Sequence, residues 1–163
     1  MPSFLRVGAL SSCLCLPFPS LFAIAHAADT DPVQRGRYLV QVAGCNDCHT
    51  AGYILAPDKV PESTWLTGDQ LGWSGPWGTT YASNLRLAMQ AYDEEQWLAI
   101  ARQANFRPPM PSHTLRIMDE ADLRGIYRYV RHLGAAGNRA PDYVPPGGTP
   151  KGPVVLFPSP PAP

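Results

Sequence analysis

The chain has 163 residues, with 13 Lys plus Arg set against 13 Asp plus Glu, four cysteines and 19 prolines. That length favours one domain. A net charge of zero with no polybasic cluster excludes nucleic acid as an expected partner and gives no reason for docking on a charged membrane surface.

Residues 1–27 read as a secretory signal peptide. Arg6 is the only charge before Asp29, the stretch that follows it is apolar or small, and Ala25-His26-Ala27 forms an A-x-A cleavage pattern. A retained membrane anchor is the weaker reading, because Pro17 and Pro19 interrupt the apolar run. Cleavage would remove Cys13 and Cys15, leaving Cys45 and Cys48, so a disulfide scaffold is ruled out. It would also remove Arg6, leaving 12 basic against 13 acidic side chains and a net charge of −1. No transmembrane span is expected in the mature chain.

A helix is predicted from Pro32, at a first-turn position, to Ala43, with Val33, Gly36, Leu39, Val40 and Ala43 on one face. It leads directly into Cys45-Asn46-Asp47-Cys48-His49. Four chemistries compete for this motif. Zinc would need further ligands that the mature chain does not supply as cysteine. A thioredoxin-like redox pair wants a βαβ setting, and no strand pattern surrounds the motif. A disulfide here would close a tiny loop and stabilise little. Covalent haem remains: two thiols add to the two porphyrin vinyl groups, and the next residue places an imidazole under the iron.

The chain resembles a bacterial single-haem class I c-type cytochrome over about residues 30–135, and Cys45, Cys48 and His49 carry the resemblance. It implies an all-α fold of helices and loops wrapped around one haem c, bound through Cys45 and Cys48. It also implies His/Met ligation of the iron, and a periplasmic location that agrees with the leader. In this family the first and last helices cross closely, a glycine meeting an aromatic; Gly36 and Tyr127 resemble that pair.

Residues 50–92 are dense in glycine and hold Trp73, Trp77 and Tyr81. They are expected to form a long loop wrapping the cofactor. Trp77, Tyr81, Asn84 and Arg86 are candidates for hydrogen bonds to the haem propionates, with covering of the porphyrin edge as the alternative role of the aromatics. The second ring nitrogen of His49 should donate to a backbone carbonyl, with Pro57 or Pro61 as candidates.

Asp93 with Gln96 three residues on predicts a capped helix start. After it comes Met110, pinned between Pro109 and Pro111 and 61 residues beyond His49. A thioether on so restricted a backbone suits a ligand retained in both oxidation states, and Met110 is the expected sixth ligand. Met89 reads as core and Met118 as a hydrophobic staple before the last helix; His113 and His132 are the other candidates. That last helix is expected from Asp119 as cap to Gly134 as stop. Nine of the final 23 residues are proline. Residues 139–163 are therefore expected as a flexible or extended tail after a cytochrome domain at 28–138, with Val154–Phe157 as an apolar anchor able to dock on the domain or a partner.

The expected function is single-electron transfer by an exported protein that is not itself an enzyme. Expected partners are redox proteins: a periplasmic dehydrogenase, an oxidase or another cytochrome. The alternatives are a dedicated cytochrome subunit of a dehydrogenase complex, and a haem enzyme or gas-binding sensor with a labile sixth ligand, which His113 and Arg107 encourage.

Overall fold

The computed structural model describes residues 31–158. The expected leader, 1–27, and residues 159–163 lie outside that range. Helix α1 (Pro32–Val42) begins where the Asp31 carboxylate accepts a hydrogen bond from the Val33 amide at 3.0 Å, with Pro32 in the first turn, where its missing N–H costs nothing. Helix α2 is the short Cys45–His49 segment, entered through Gly44 at φ 70°, a left-handed conformation that suits glycine.

Strands β1 (Gly72–Gly75) and β2 (Gly78–Tyr81) follow as an antiparallel hairpin, then helices α3 (Leu85–Ala88), α4 (Glu94–Gln103), α5 (Ser112–Ile117) and α6 (Glu120–Leu133), and finally strand β3 (Val154–Leu156). The expected capping box of α4 is present: Asp93 accepts from the Gln96 amide at 2.8 Å and the Gln96 side chain accepts from the Asp93 amide at 3.0 Å. Asp119 stands at the N-cap of α6, yet its side chain makes no cap bond, and Gly134 ends that helix at φ 72°.

The all-α expectation is corrected. Three strands form one mixed sheet in the order β2-β1-β3, with β3 parallel to β1 and Gly72 opposite Val154. The physical reason lies in the Gly-rich segment, where Trp73, Thr79, Thr80 and Tyr81 have the aromatic and β-branched character that favours strand, and Pro76-Trp77 makes the turn between them. The apolar anchor of the proline-rich segment supplies the third strand on the sheet edge, where proline on either side is tolerated.

The core is organised by the crossing of α1 and α6. A Cβ added at Gly36 would lie 2.0 Å from the Gly125 carbonyl oxygen and 2.7 Å from the Tyr129 Cβ, so the two backbones touch with no room for a methyl group. The partner of Gly36 is therefore Gly125 with Tyr129 above it, rather than Tyr127. Residues 125 and 129 share a helix face, whereas Tyr127 turns away to donate its hydroxyl to the Tyr92 carbonyl at 2.9 Å. Leu39 and Val40 from α1 and Leu123, Ile126 and Val130 from α6 are buried around the crossing. Trp97 ties α4 to it through an indole N–H to Leu123 carbonyl bond of 3.1 Å.

Polar contacts fasten the rim of the crossing. Arg35 forks onto Asp122 at 2.9 and 3.1 Å, and Arg37 onto Glu62 at 2.9 Å through both nitrogens. The Tyr129 hydroxyl donates to the same Glu62 at 2.8 Å. Arg37, followed by Tyr129, holds the Glu62 carboxyl below its ordinary value of 4.5 against the opposing effect of partial burial.

Two outcomes follow from this packing. Gly36→Ala should destabilise the fold by about 1–3 kcal/mol or more despite alanine's better helix propensity, because backbone must move. Gly125→Ala, whose Cβ meets its first neighbour at 3.2 Å, should cost less. Denaturant unfolding of both variants checks this, and a neutral Gly36→Ala would contradict the close crossing. Glu62 has a folded pKa below its unfolded one, so its contribution is present above pH 4.5 and is lost as pH falls through the folded value. Glu62→Gln should therefore flatten the acid side of the stability curve and lower stability at neutral pH.

Candidate functional site

A cavity of about 400 Å³, within the range of about 300–1,000 Å³ usual for cofactor sites, opens between α2, the hairpin and the α4–α5 segment. Cys45, Cys48 and His49 line one side; Trp73, Thr80, Tyr81, Ala82, Ser83 and Leu85 line another. Phe106, Arg107, Pro109, Met110, Pro111, Thr114, Leu115 and Met118 close it, with Trp97 and Ile126 at its floor. The fold thus brings all four expected site residues, Cys45, Cys48, His49 and Met110, onto one largely apolar cavity.

His49 is 8% exposed, and its Nδ1 lies 2.7 Å from the Ser83 carbonyl oxygen. A carbonyl only accepts, so Nδ1 carries the proton and Nε2 keeps its lone pair free for a metal. Burial lowers the ring's pKa, partly offset by the Ser83 bond, which favours the neutral, ligating form. The carbonyl acceptors expected at Pro57 or Pro61 are engaged elsewhere, accepting from the Val60 and Thr64 amides, and Ser83 takes that role.

The backbone around His49 is tied on both sides. The His49 carbonyl accepts from the Gly68 amide at 2.8 Å. Thr50, 1% exposed, donates its hydroxyl to the Asn46 side chain at 2.8 Å and accepts from the Leu66 amide at 2.8 Å.

Cys45 and Cys48 are free thiols. Burial pushes Cys45 up to about 11, and burial likewise raises Cys48. A redox CxxC pair works through a thiol of lowered pKa, and burial acts in the opposite direction on both thiols here. Among the described residues no group of three His, Cys, Asp or Glu side chains is placed to hold a metal ion.

The donor set fits haem. Two thiols and an imidazole with a free Nε2 stand on one side of an apolar cavity, and thioethers stand in its wall. The Trp73 indole N–H, buried and without a protein acceptor, lines the same cavity and suits a propionate carboxylate.

The propionate candidates divide. Tyr81 lines the cavity, its hydroxyl 3.4 Å from the Lys151 carbonyl. Trp77 instead packs edge-on against Phe157, with ring centroids 5.1 Å apart. Asn84 caps α3 and donates to the Ala136 and Asn138 carbonyls at 2.7 and 3.1 Å. Arg86 is spent on the carbonyls of Gly134, Leu133 and Ser63, closing the C-terminal end of α6, where a cation is favourable.

Of the sixth-ligand candidates, Met110 and Met118 both line the cavity, Met89 is core at 1% exposure, and His113 and His132 are exposed. Met110 is backed by the two flanking prolines. Its amide donates to Arg107 and its carbonyl accepts from Ser112, at 3.2 and 2.9 Å.

No protein-family model matches the chain. It is 31% identical over 125 residues to the fructose dehydrogenase cytochrome subunit of Gluconobacter japonicus, an alignment that covers 72% of this chain and 24% of that protein. It is 32% identical over 131 residues to the gluconate 2-dehydrogenase cytochrome c subunit of Pantoea cypripedii, covering 72% and 30%. Its relatives are cytochrome c subunits of dehydrogenases. That supports a c-type cytochrome and an electron-transfer role in general terms, with haem c and iron as the implied cofactor. The chain spans about a quarter to a third of the length of these relatives. Among the described residues no helix is long and apolar enough to cross a membrane.

Thr50→Val keeps the shape of the side chain and leaves the buried Leu66 amide and Asn46 oxygen unpaired. It should cost about 1–3 kcal/mol of stability, read by denaturant titration; a change below about 0.5 kcal/mol would show that these bonds do not brace the turn.

Proposed function

We propose that the chain is a one-haem electron-transfer unit that works as the cytochrome partner of a dehydrogenase, exported to the periplasm by residues 1–27 and carrying no catalytic residues of its own. In this reading residues 28–138 form the haem-binding domain, residues 139–163 are an appended segment, and Cys45 and Cys48 hold the porphyrin covalently. His49, through its free Nε2, and Met110, through its thioether, would hold the iron. The observation that carries the reading is the convergence of Cys45, Cys48, His49 and Met110 on one apolar cavity.

When bound, haem supplies the one-electron couple. The residues of the chain do the rest. Ser83 fixes the His49 ring and its tautomer, which raises ligand basicity. Trp97, Leu115 and Ile126 exclude water from the cavity floor, and a low dielectric around the iron tunes its potential. Pro109 and Pro111 restrict the backbone beside Met110, so that little rearranges when the electron arrives or leaves. The names of the two relatives favour a dehydrogenase as donor, with an oxidase or another cytochrome as acceptor. The near-neutral charge argues against strong long-range steering between such partners.

The reading is tested on haem-loaded protein with carbon monoxide. Reduced wild type should bind it poorly, and Met110→Ala should raise the affinity by roughly an order of magnitude or more while abolishing the weak long-wavelength band of methionine-ligated ferric haem. If Met118→Ala opens the iron instead, the ligand assignment moves to Met118. Ready binding by wild type, with Met110→Ala spectrally silent, would replace the electron carrier by a gas-binding or catalytic haem.

A further inference from the structure

The C-terminal segment does more than lie on the sheet edge. Asn84 fastens its entry at Ala136 and Asn138. Val144 and Thr79 exchange backbone hydrogen bonds in both directions, at 3.0 and 2.8 Å. The segment then turns and runs beside β1, where the Phe157 amide donates to the Ser74 carbonyl at 2.8 Å.

Along this path it touches two walls of the cavity. The Phe157 ring packs against Trp73, with centroids 6.1 Å apart, and Trp73 lines the cavity. The Tyr143 ring lies under the Arg107 guanidinium, 4.0 Å from the ring centroid, and Arg107 belongs to the segment that presents Met110. The Tyr143 hydroxyl donates to the Trp77 carbonyl at 2.6 Å, which fixes the ring in place beneath Arg107. One residue on from Arg107, the Pro108 carbonyl accepts from the Thr80 hydroxyl at 2.7 Å, so the same loop is also held to β2.

We infer that residues 139–158 are a strap holding the Met110 loop against the cavity, with Tyr143 as its positioning residue. The inference rests on Met110 being the sixth ligand. Tyr143 acts through Arg107: a planar cation stacked on an anchored aromatic face restrains the loop, and proline-rich backbone spanning Arg139 to Pro158 has few other conformations to relax into. Exchange of the thioether for an external ligand requires the loop to open. The strap therefore sets how often it opens.

The test uses the full haem-loaded chain and carbon monoxide as probe. Tyr143→Ala should raise the rate of carbon monoxide binding to the reduced protein about tenfold, a factor within reach of a lost cation–π contact. It should also lower the pH at which the ferric methionine band disappears. Tyr143→Phe keeps the ring face but loses its anchor on the Trp77 carbonyl, and should fall between wild type and Tyr143→Ala on both readouts. The strap is overturned if Met110→Ala opens the iron while Tyr143→Ala matches wild type, and the role of the ring face is overturned if Tyr143→Phe behaves as Tyr143→Ala. Free binding by wild type together with a silent Met110→Ala would instead remove the ligand assignment beneath it.

Discussion

The 2.7 Å hydrogen bond from His49 Nδ1 to the Ser83 carbonyl is the contact on which the rest of the site depends. A buried imidazole without a partner for that nitrogen would be costly and free to rotate. With the carbonyl in place, the tautomer, the ring plane and the direction of Nε2 are all fixed. Ser83 lies one residue beyond the end of β2, after Ala82, and precedes the Asn84 cap of α3. The sheet, absent from an all-α expectation, therefore has a direct structural part in presenting the imidazole.

The helices place the other half. α1 can run close enough to α6 only because Gly36 and Gly125 leave the backbones in contact. That crossing sets where α1 ends, and only Ala43 and Gly44 separate its end from the CxxCH turn. α6 in turn holds Trp97 through Leu123 and receives Arg86 at its C-terminal end, so the cavity floor and the start of the C-terminal segment are located by the same helix. Haem binding would add a large flat apolar body to this core, and the relatives' cytochrome c character agrees with a cavity of that kind.

What was legible in the sequence was local. Pro32, Asp93 with Gln96, and Gly134 each act within one helical turn, and the structure starts or stops a helix at each; the Asp31 cap came only with the structure. The CxxCH motif was legible because its chemistry sits within five consecutive residues. The hairpin was hidden because Gly72, Gly75 and Gly78 read as loop punctuation and outweighed the strand character of Trp73, Thr79 and Tyr81. Strand β3 pairs in parallel with a segment far earlier in the chain, and no local pattern announces such a partner. Ser83 escaped notice because its backbone carbonyl does the work, which any residue could supply. Asn84 and Arg86 had the right chemistry for propionates but serve carbonyls near residues 133–138, a demand visible only once the chain is folded. Trp73 and Trp77 look equivalent in sequence, and both pack against Phe157; the register of β1 puts only the first on the cavity.

The proposed function requires one haem joined to this chain through Cys45 and Cys48. Its most direct measurement is the intact mass, under denaturing conditions, of full-length protein produced in a host that attaches haem to exported cytochromes. The expected mass is that of the processed chain plus one haem, with that increment lost when Cys45 and Cys48 are both replaced by alanine. A wild-type chain that arrives without haem, or with its two cysteines joined as a disulfide, would contradict it.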